Sequence, residues 1–257
     1  MPLYHHKINT GSDPDSYVPS GISIPSGAIF YAPLSESSPT AETGQTLTAY
    51  GSPSFTTYKS IPCLYANGAS GIQITNATTI PQGNNPMSLS AFFCPMSTMW
   101  DYATVAAFGI LNYNQWFSLM VDPSDCLFSA LFGNDNGSAY AVAQGQWYHA
   151  AVTFDSSSGA HSIYANGQLV ASRTTEKDTA GSLGGIGFSG VDGSRFFAGY
   201  ISSVRLYDRA LSQAEVAALS QEFVPKPTYS SLNFDEFGHP VRFDSADDAG
   251  CSKEIEV

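Results

Sequence analysis

The sequence predicts an all-β protein, a sandwich or barrel of short strands, and three observations lead to this prediction. Short segments rich in aliphatic and aromatic residues recur along the chain, each bounded by Gly, Asn, Asp or Pro. Residues 147–154 alternate with a period of two, as the side chains of a strand do. A helical pattern occurs once, close to residue 213, so helices contribute little to the fold.

The composition allows one sizeable core and excludes two classes of partner. The 257 residues include 16 Phe, 14 Tyr and 3 Trp, which suits a folded β domain of this length. The formal net charge of −12 argues against nucleic acids and against anionic membrane surfaces, because both attract Lys and Arg. No apolar run is long enough to span a bilayer, so we expect no membrane insertion.

The strand-like segments follow one another along the middle of the chain. Each is short and ends at residues that favour turns. The segments are 28–34, 88–96, 104–111, 116–122, 126–133, 139–145, 147–155 and 197–207.

A tight hairpin is predicted between "SIYA" and "QLVAS", which are joined by Asn166 and Gly167. A two-residue Asn-Gly loop suits a type I′ turn, because both of its positions need a positive φ. The hairpin is therefore antiparallel, with these two residues at its tip.

The single helix is predicted over about residues 213–221. Ser212 fits the N-cap, and Glu215 stands three positions later, which together form the pattern of a capping box. Leu211 and Val216 are spaced for a hydrophobic staple. So short a helix is marginal alone, and we expect it to pack against the edge of the sandwich.

The chain is expected to divide into three parts. Residues 1–26 hold four prolines and predict an extended arm, and residues 27–224 hold the sandwich. Residues 225–257 form a tail in which a β-hairpin is a candidate. We expect both end segments to contact other protein subunits, in the tail's case by adding a strand to a sheet edge.

Residues 27–222 resemble a known family, the laminin-G-like and concanavalin A-like lectin/glucanase domains of bacterial and phage proteins, and the specific part of the resemblance lies in residues 147–222. The matching patterns are W-x-H-x-A-x-T-x-D, then Y-x-N-G, then a last strand followed by N-R-A-L-S-x-x-E. In this chain they fall on Trp147, His149, Ala151, Thr153, Asp155, Tyr164, Asn166, Gly167, Gly199, Ile201, Val204, Arg205, Tyr207, Arg209, Ala210, Leu211, Ser212 and Glu215. The resemblance implies a jelly roll of two antiparallel sheets.

Two departures from the family pattern concern calcium. Many relatives carry Asp where this chain has Ser202, and an early D-x-S-G element appears here as 42–44, Glu-Thr-Gly. Calcium prefers several carboxylate and carbonyl oxygens. We therefore expect no cofactor, with a structural calcium ion as the open alternative.

Catalysis is not expected. The catalytic relatives carry a carboxylate triplet, E-x-D-x-x-E, on one strand, because glycoside hydrolysis needs two closely placed carboxyl groups. No such triplet exists in this sequence, and the nearest pairs, 235–236 and Glu254 with Glu256, lie outside the matched domain. No G-x-S-x-G elbow is present either. We interpret His149 as a packed, hydrogen-bonded core histidine.

Three turn-like stretches carry the side chains that sugars favour, namely aromatic rings, amides and carboxylates. Loops on a rigid sandwich often carry function, although Asn and Asp also favour turns for backbone reasons and aromatic residues also pack. The candidate ligand-binding residues are Trp100, Asp101, Tyr102, Asn112, Tyr113, Asn114, Asn134 and Asp135.

The function expected is that of a non-catalytic structural or recognition protein displayed outside the cell, a phage virion component whose lectin-like domain binds glycans. The first residues contain no apolar stretch of the kind found in secretory signal peptides. The alternative is a carbohydrate-binding or adhesion module of a bacterial surface protein. A glycoside hydrolase is the third reading.

The four cysteines have no metal-binding spacing, and we expect free, buried thiols. A bond between Cys63 and Cys94 stays open at this point.

Overall fold

The computed structural model describes residues 23–35, 40–99 and 101–223, together with the backbone of residues 233–234 and 240–241. The chain divides into two compact units, Met1–Val224 and Pro225–Val257. The expected arm at residues 1–26 lies almost wholly outside the described residues.

Strands dominate the described part of the first unit, which also holds one helix. In chain order the elements are β1 Phe30–Ala32, β2 Thr46–Tyr50, β3 Ser54–Tyr58, β4 Ile61–Asn67, β5 Gly71–Thr75, β6 Met87–Pro95, β7 Ala103–Gly109, β8 Trp116–Val121, β9 Cys126–Ser129, β10 Asn136–Ala141, β11 Tyr148–Asp155, β12 Ala160–Ala165, β13 Gln168–Thr174, β14 Gly184–Ile186, β15 Ala198–Tyr207 and α1 Gln213–Leu219.

These strands form two antiparallel sheets. The eight-stranded sheet has the order β13-β12-β11-β6-β15-β4-β3, and β1 pairs with the second half of β15. The seven-stranded sheet has the order β10-β9-β8-β7-β14-β5-β2. About half of the neighbouring strands are distant in sequence, including β6 with β15 and β7 with β14, as in a jelly roll. The fold class predicted from the sequence is confirmed.

The core lies between the two sheets and is rich in phenylalanine. Strands β6, β7 and β8 are buried along their whole length, because each also has its outer face covered. Among the core side chains with almost no exposed surface are Phe30, Phe93, Phe108, Phe117, Phe154 and Phe197.

The predicted hairpin joins β12 to β13. Asn166 and Gly167 have φ values of 47° and 81°, the left-handed values that a type I′ turn requires. Ala165 pairs with Gln168 across the turn. The Asn-Gly signal therefore predicted the turn and its strand register correctly.

Helix α1 begins with the predicted capping box, in which Ser212 accepts from the backbone N–H of Glu215 and Glu215 accepts from that of Ser212. Its buried residues, Val216 and Leu219, belong to a small apolar cluster on the eight-stranded sheet. That cluster contains side chains of β11, β12 and β15, namely Ala151, Tyr164 and Tyr207. The helix thus covers the outer face of this sheet and also contacts β13, the strand at the edge against which we expected it to pack.

A buried ion pair fastens the segment after α1 to the sheet. Arg205 on β15 donates two hydrogen bonds to Glu222, of 2.5 and 2.7 Å, and both residues are less than a tenth exposed. Ser203 donates to the same carboxylate, and the guanidinium lies 4.1 Å from the ring centroid of Tyr31. Burial alone would lower the pKa of Arg205, but the hydrogen bonds and charge of Glu222 outweigh burial and raise it.

His149 is packed as expected, but the predicted hydrogen bonds to its ring are absent. Its side chain is 2% exposed and lies 4.9 Å, between centroids, from the ring of Phe92. Neither ring nitrogen has a protein partner. Burial, with a smaller contribution from the charge of Arg205, lowers the pKa of His149 to about 3, so the ring is neutral near pH 7.

The described cysteines are free thiols: Cys63 and Cys94 are buried, and Cys126 is partly exposed. Cys251 lies outside the described residues. In the second unit, β16 Asn233–Phe234 pairs antiparallel with β17 Pro240–Val241. Across the described residues, the helix is too short and too polar to cross a bilayer.

Candidate functional site

One cavity of about 460 Å³ stands at the loops of the first unit. We call it the Tyr113 pocket. Its volume falls within the range of small-ligand sites. It is lined by Asn84, Tyr113, Asn114, Gly159, Thr175, Glu176, Lys177 and Asp178.

Backbone hydrogen bonds hold the walls of the Tyr113 pocket together. The N–H of Asp178 donates to the carbonyl of Asn114 at 2.8 Å, which ties the segment after β13 to the turn between β7 and β8. Gly83 and Thr179 exchange two backbone bonds of 2.7 and 3.1 Å, which adds the loop before β6. The N–H of Thr175 donates to the carbonyl of Gly159. The pocket is therefore built on cross-linked backbone rather than on one free loop.

Tyr113 supplies an exposed aromatic ring at this site. It is 64% exposed, the largest fraction among the large hydrophobic side chains described. Its ring lies directly against Gly133, where an added Cβ would come within 2.4 Å of two ring carbons. A ring supported in this way on one side offers a flat surface to a ligand on the other.

The loop beneath that ring is fixed by Asp135. One carboxylate oxygen of Asp135 accepts from the N–H groups of Leu131, Phe132 and Gly133, at 2.9, 2.9 and 3.2 Å. Asn134 donates from its side chain to the side-chain oxygen of Asn114 at 2.9 Å. These two predicted ligand residues thus position Tyr113 and Asn114 and do not line the cavity.

Lys177 is buried in the wall with its charge directed inward. Its ammonium donates to the carbonyl of Gly83 at 2.7 Å and to the hydroxyl of Thr179 at 3.1 Å, and it lies 5.4 Å from the ring centroid of Phe154. The residue is 2% exposed. Burial lowers the pKa of Lys177 to about 8, although the nearby charge of Asp178 opposes this.

The other predicted residues are divided between two places. Asn112 lies in the same turn as Tyr113, and its side-chain oxygen accepts a hydrogen bond from the backbone N–H of Tyr113 at 2.9 Å. Asn112 does not line the pocket. Asp101 and Tyr102 lie at the start of β7, away from the pocket lining, where the Tyr102 ring packs on Phe128. Trp100 lies outside the described residues.

Sequence reasoning missed the segment that supplies half of the residues lining the pocket, 175–178. "TEKD" at residues 175–178 follows the predicted hairpin and holds three consecutive charged residues. In a chain with only 12% charged residues, that local concentration was the available signal. Asn84 and Gly159 carried no comparable signal, because they reach the pocket only through tertiary structure.

The seven-stranded sheet offers no pair of catalytic carboxyl groups along its strands. None of its seven strands contains an Asp or a Glu. On its outer face, Trp116 is 1% exposed and clusters with Met120 and Ala130, while the guanidinium of Arg195 lies 5.7 Å from the indole centroid. Glycoside hydrolysis by two carboxyls therefore has no donors on these strands.

The residues at the family's calcium position do not fit a metal ion. Ser202, which replaces the family's Asp, donates its hydroxyl to the carbonyls of Pro62 and Pro33, at 2.7 and 3.3 Å. Within the described ranges, no three His, Cys, Asp or Glu residues are grouped as metal ligands. Calcium needs more oxygen donors than a serine and two carbonyls. Calcium independence stays a prediction.

Residues 66–217 match the family model described as the concanavalin A-like lectin/glucanases superfamily. No curated protein sequence matches the chain.

Solved structures of similar fold include binding domains of larger proteins. Domain 4 of AbnA, a GH43 extracellular arabinanase from Geobacillus stearothermophilus, in complex with arabinotriose, is 24% identical. The match has a TM-score of 0.58 and covers 76% of this chain and 98% of that chain. The binding domain of botulinum neurotoxin DC, in complex with SialylT, is 13% identical. Here the TM-score is 0.59, with 86% of this chain and 57% of that chain covered.

A third similar structure is the binding domain of Paraclostridial Mosquitocidal Protein 1. It is 14% identical, with a TM-score of 0.61, and the match covers 85% of this chain and 56% of that chain. The chain thus spans little more than half the length of the toxin binding domains it matches. At these identities the comparisons establish the fold, and two of these structures are complexes, one with arabinotriose and one with SialylT.

Proposed function

This chain belongs to the concanavalin A-like lectin/glucanases superfamily, and we propose that it is a non-catalytic glycan-recognition protein displayed outside the cell. The Tyr113 pocket is the proposed glycan site. The more specific proposal is a phage virion component, as a decoration, fibre or tail protein. The alternative carrier is a bacterial surface protein that uses the same domain for adhesion.

The observation that carries the glycan proposal is the pairing of an exposed ring with polar groups in one cavity. The Tyr113 ring stands at a pocket that also contains the amides of Asn84 and Asn114. Sugar rings present apolar C–H faces and hydroxyl edges, so an aromatic surface beside amides complements both. The sugar complexes among the similar structures support the same ligand class.

The proposal of a non-catalytic role rests on the carboxylate distribution. A glycosidase needs one carboxyl as acid and another as nucleophile or base, on either side of the scissile bond. The strands of the seven-stranded sheet carry none. Glu176 and Asp178 in the Tyr113 pocket are exposed side chains. The catalytic acid of a glycosidase is instead usually held in a buried, apolar setting.

The glycan proposal is tested by a glycan array followed by calorimetric titration of the bound glycans. Tyr113→Ala is expected to weaken binding about tenfold or more, since an aromatic contact contributes about 1.5 kcal/mol. The matched control is Tyr65→Ala, which removes another exposed tyrosine on β4, outside the pocket. Equal affinities for the wild-type protein and Tyr113→Ala would refute the assignment of the site.

The display proposal is supported by the resemblance to phage and bacterial surface domains and by the proline-containing segment 1–26. Its test is immunogold labelling with an antibody against this chain. Gold on purified virions supports the phage component. Gold on washed, uninfected bacterial cells supports the adhesion module, and label confined to the cell interior contradicts both.

A further inference from the structure

We propose that the Tyr113 pocket selects neutral or amine-bearing sugar units and rejects acidic ones such as sialic acid and uronates. This inference rests on the proposed glycan site and names the class of sugar that the site accepts. It follows from the directions in which three consecutive charged side chains point.

The one cationic side chain in the lining, that of Lys177, forms its hydrogen bonds within the protein. Lys177 is 2% exposed, and two of its three ammonium hydrogens are used by the Gly83 carbonyl and the Thr179 hydroxyl. Its charge also lies near the face of the Phe154 ring. An acidic sugar entering the pocket would therefore not find this ammonium as a free partner.

The two anionic side chains in the lining, those of Glu176 and Asp178, are open to solvent. Glu176 and Asp178 flank Lys177 in sequence and are both exposed, as expected where alternate residues of an extended segment point to opposite sides. Neither forms an ion pair with a residue that the structure describes. The charge that the pocket presents to a ligand is therefore negative.

The remaining lining groups suit an uncharged ligand surface. Asn84 and Asn114 contribute side-chain amides to the lining, and amides can hydrogen-bond the hydroxyl groups of a sugar. The Tyr113 ring accepts either C–H groups or a cation over its face. Two carboxylates beside an aromatic ring favour a protonated amine and repel a carboxylate. The chain's net charge of −12 acts in the same direction.

The expected selectivity follows from Coulomb's law. One carboxylate about 4 Å from a ligand carboxylate changes affinity about fivefold in water, so two such neighbours give roughly 25-fold, which the buried positive charge of Lys177 reduces. Salt weakens this effect at exposed sites. We expect an acidic unit to bind at least about tenfold more weakly than its neutral counterpart, and we expect added salt to reduce that difference.

The test uses an array of matched glycans: each neutral glycan beside its sialylated version, with glucosamine, N-acetylglucosamine and galacturonic acid tetramers as further probes. Wild-type protein should bind neutral or amine-bearing members and bind acidic members at least about tenfold more weakly. The double variant Glu176→Gln with Asp178→Asn should reduce that discrimination about fivefold or more. The control Glu42→Gln with Asp208→Asn removes the same charge outside the pocket and should leave the discrimination unchanged.

Two results would overturn the inference. One is acidic glycans bound as tightly as neutral ones by the wild-type protein. The other is discrimination that the pocket variant and the control variant change equally, since the overall charge would then be the cause. Absence of binding to every class of glycan would instead refute the proposed glycan site itself, and with it this inference.

Discussion

Replacing His149 by Phe should make the protein markedly less sensitive to acid. The buried ring has a pKa of about 3, whereas an unfolded histidine has about 6.5. Between these values the unfolded chain binds a proton that the folded chain does not, so stability falls as the pH is lowered below 6.5. Above pH 6.5 both states are neutral at this position, and the effect vanishes.

The size of the effect follows from the two pKa values. A difference of one pKa unit corresponds to about 1.36 kcal/mol, so lowering the pH from about 7.5 to about 4.5 costs roughly 2.7 kcal/mol through His149. His161, buried and also with a pKa of about 3, adds a similar cost. Their sum of roughly 5 kcal/mol is comparable with the whole stability of many domains.

The measurement is urea unfolding at several pH values, followed by tryptophan fluorescence, with buried Trp116 as one reporter. The free energy of unfolding of wild-type protein should fall by about 2.7 kcal/mol per pH unit in the acid range, and that of His149→Phe by about half as much. Phe92→Leu, which alters the ring packed on His149 but keeps the titrating group, should lower stability equally at all pH values. Parallel pH profiles for wild-type protein and His149→Phe would refute the reasoning.

Three further predictions concern stability. Glu222→Gln leaves Arg205 buried without a counter-charge and should lower the free energy of unfolding in urea by about 3–5 kcal/mol. The double variant Arg205→Met with Glu222→Leu should recover most of that stability. A Glu222→Gln variant as stable as the wild-type protein would contradict this prediction. Gly167→Ala combines a φ of 81° with a Cβ 2.9 Å from the backbone of α1 and should lower the melting temperature. The control Gly44→Ala has a similar φ of 86° but adds its Cβ in open space, so it should lower the melting temperature less. Equal decreases in melting temperature would show that the contact with α1 is unimportant. EDTA should leave the melting temperature unchanged, because Ser202 supplies no carboxylate, and a drop that calcium reverses would show a calcium site.

Elements coded by adjacent residues were predictable from the sequence. The Asn166-Gly167 turn and the Ser212 capping box each depend on a few neighbouring residues, and both stand where the sequence placed them. Strands β11 and β15 were also detected, because their side chains alternate with a period of two, although both are buried on both faces along most of their length. These elements together sufficed for the fold class.

The missed strands β2, β3 and β14 gave only a weak signal in the sequence. β2 and β3 are largely exposed, so their hydrophobic alternation is weak. β14 has only three residues, Gly184–Ile186, two of them glycine, and it is a strand because β5 and β7 bond to it on either side. No local signal identifies such elements.

The candidate site shows the same limit. The sequence indicated Tyr113 and Asn114, since an aromatic residue among amides in a turn is a local pattern. It did not indicate Asn84 or Thr175, which reach the pocket through pairings such as Gly83 with Thr179. For the same reason, Asp135 resembled a ligand residue in the sequence, whereas three backbone N–H groups already occupy its carboxylate.

The ion pair between Arg205 and Glu222 also bears on how the protein withstands mechanical force. The chain leaves the first unit two residues after Glu222, so tension on the following segment passes through the contact of Phe223 with Phe92 and then reaches Arg205. Arg205 belongs to β15, which is bonded to β6 on one side and to β4 and β1 on the other. A force applied to a central strand must break the backbone hydrogen bonds to both neighbouring strands together. A force applied to an edge strand breaks the hydrogen bonds to one neighbour, one after another. A domain tethered through its C-terminal side is thus held where the sheet is hardest to pull apart.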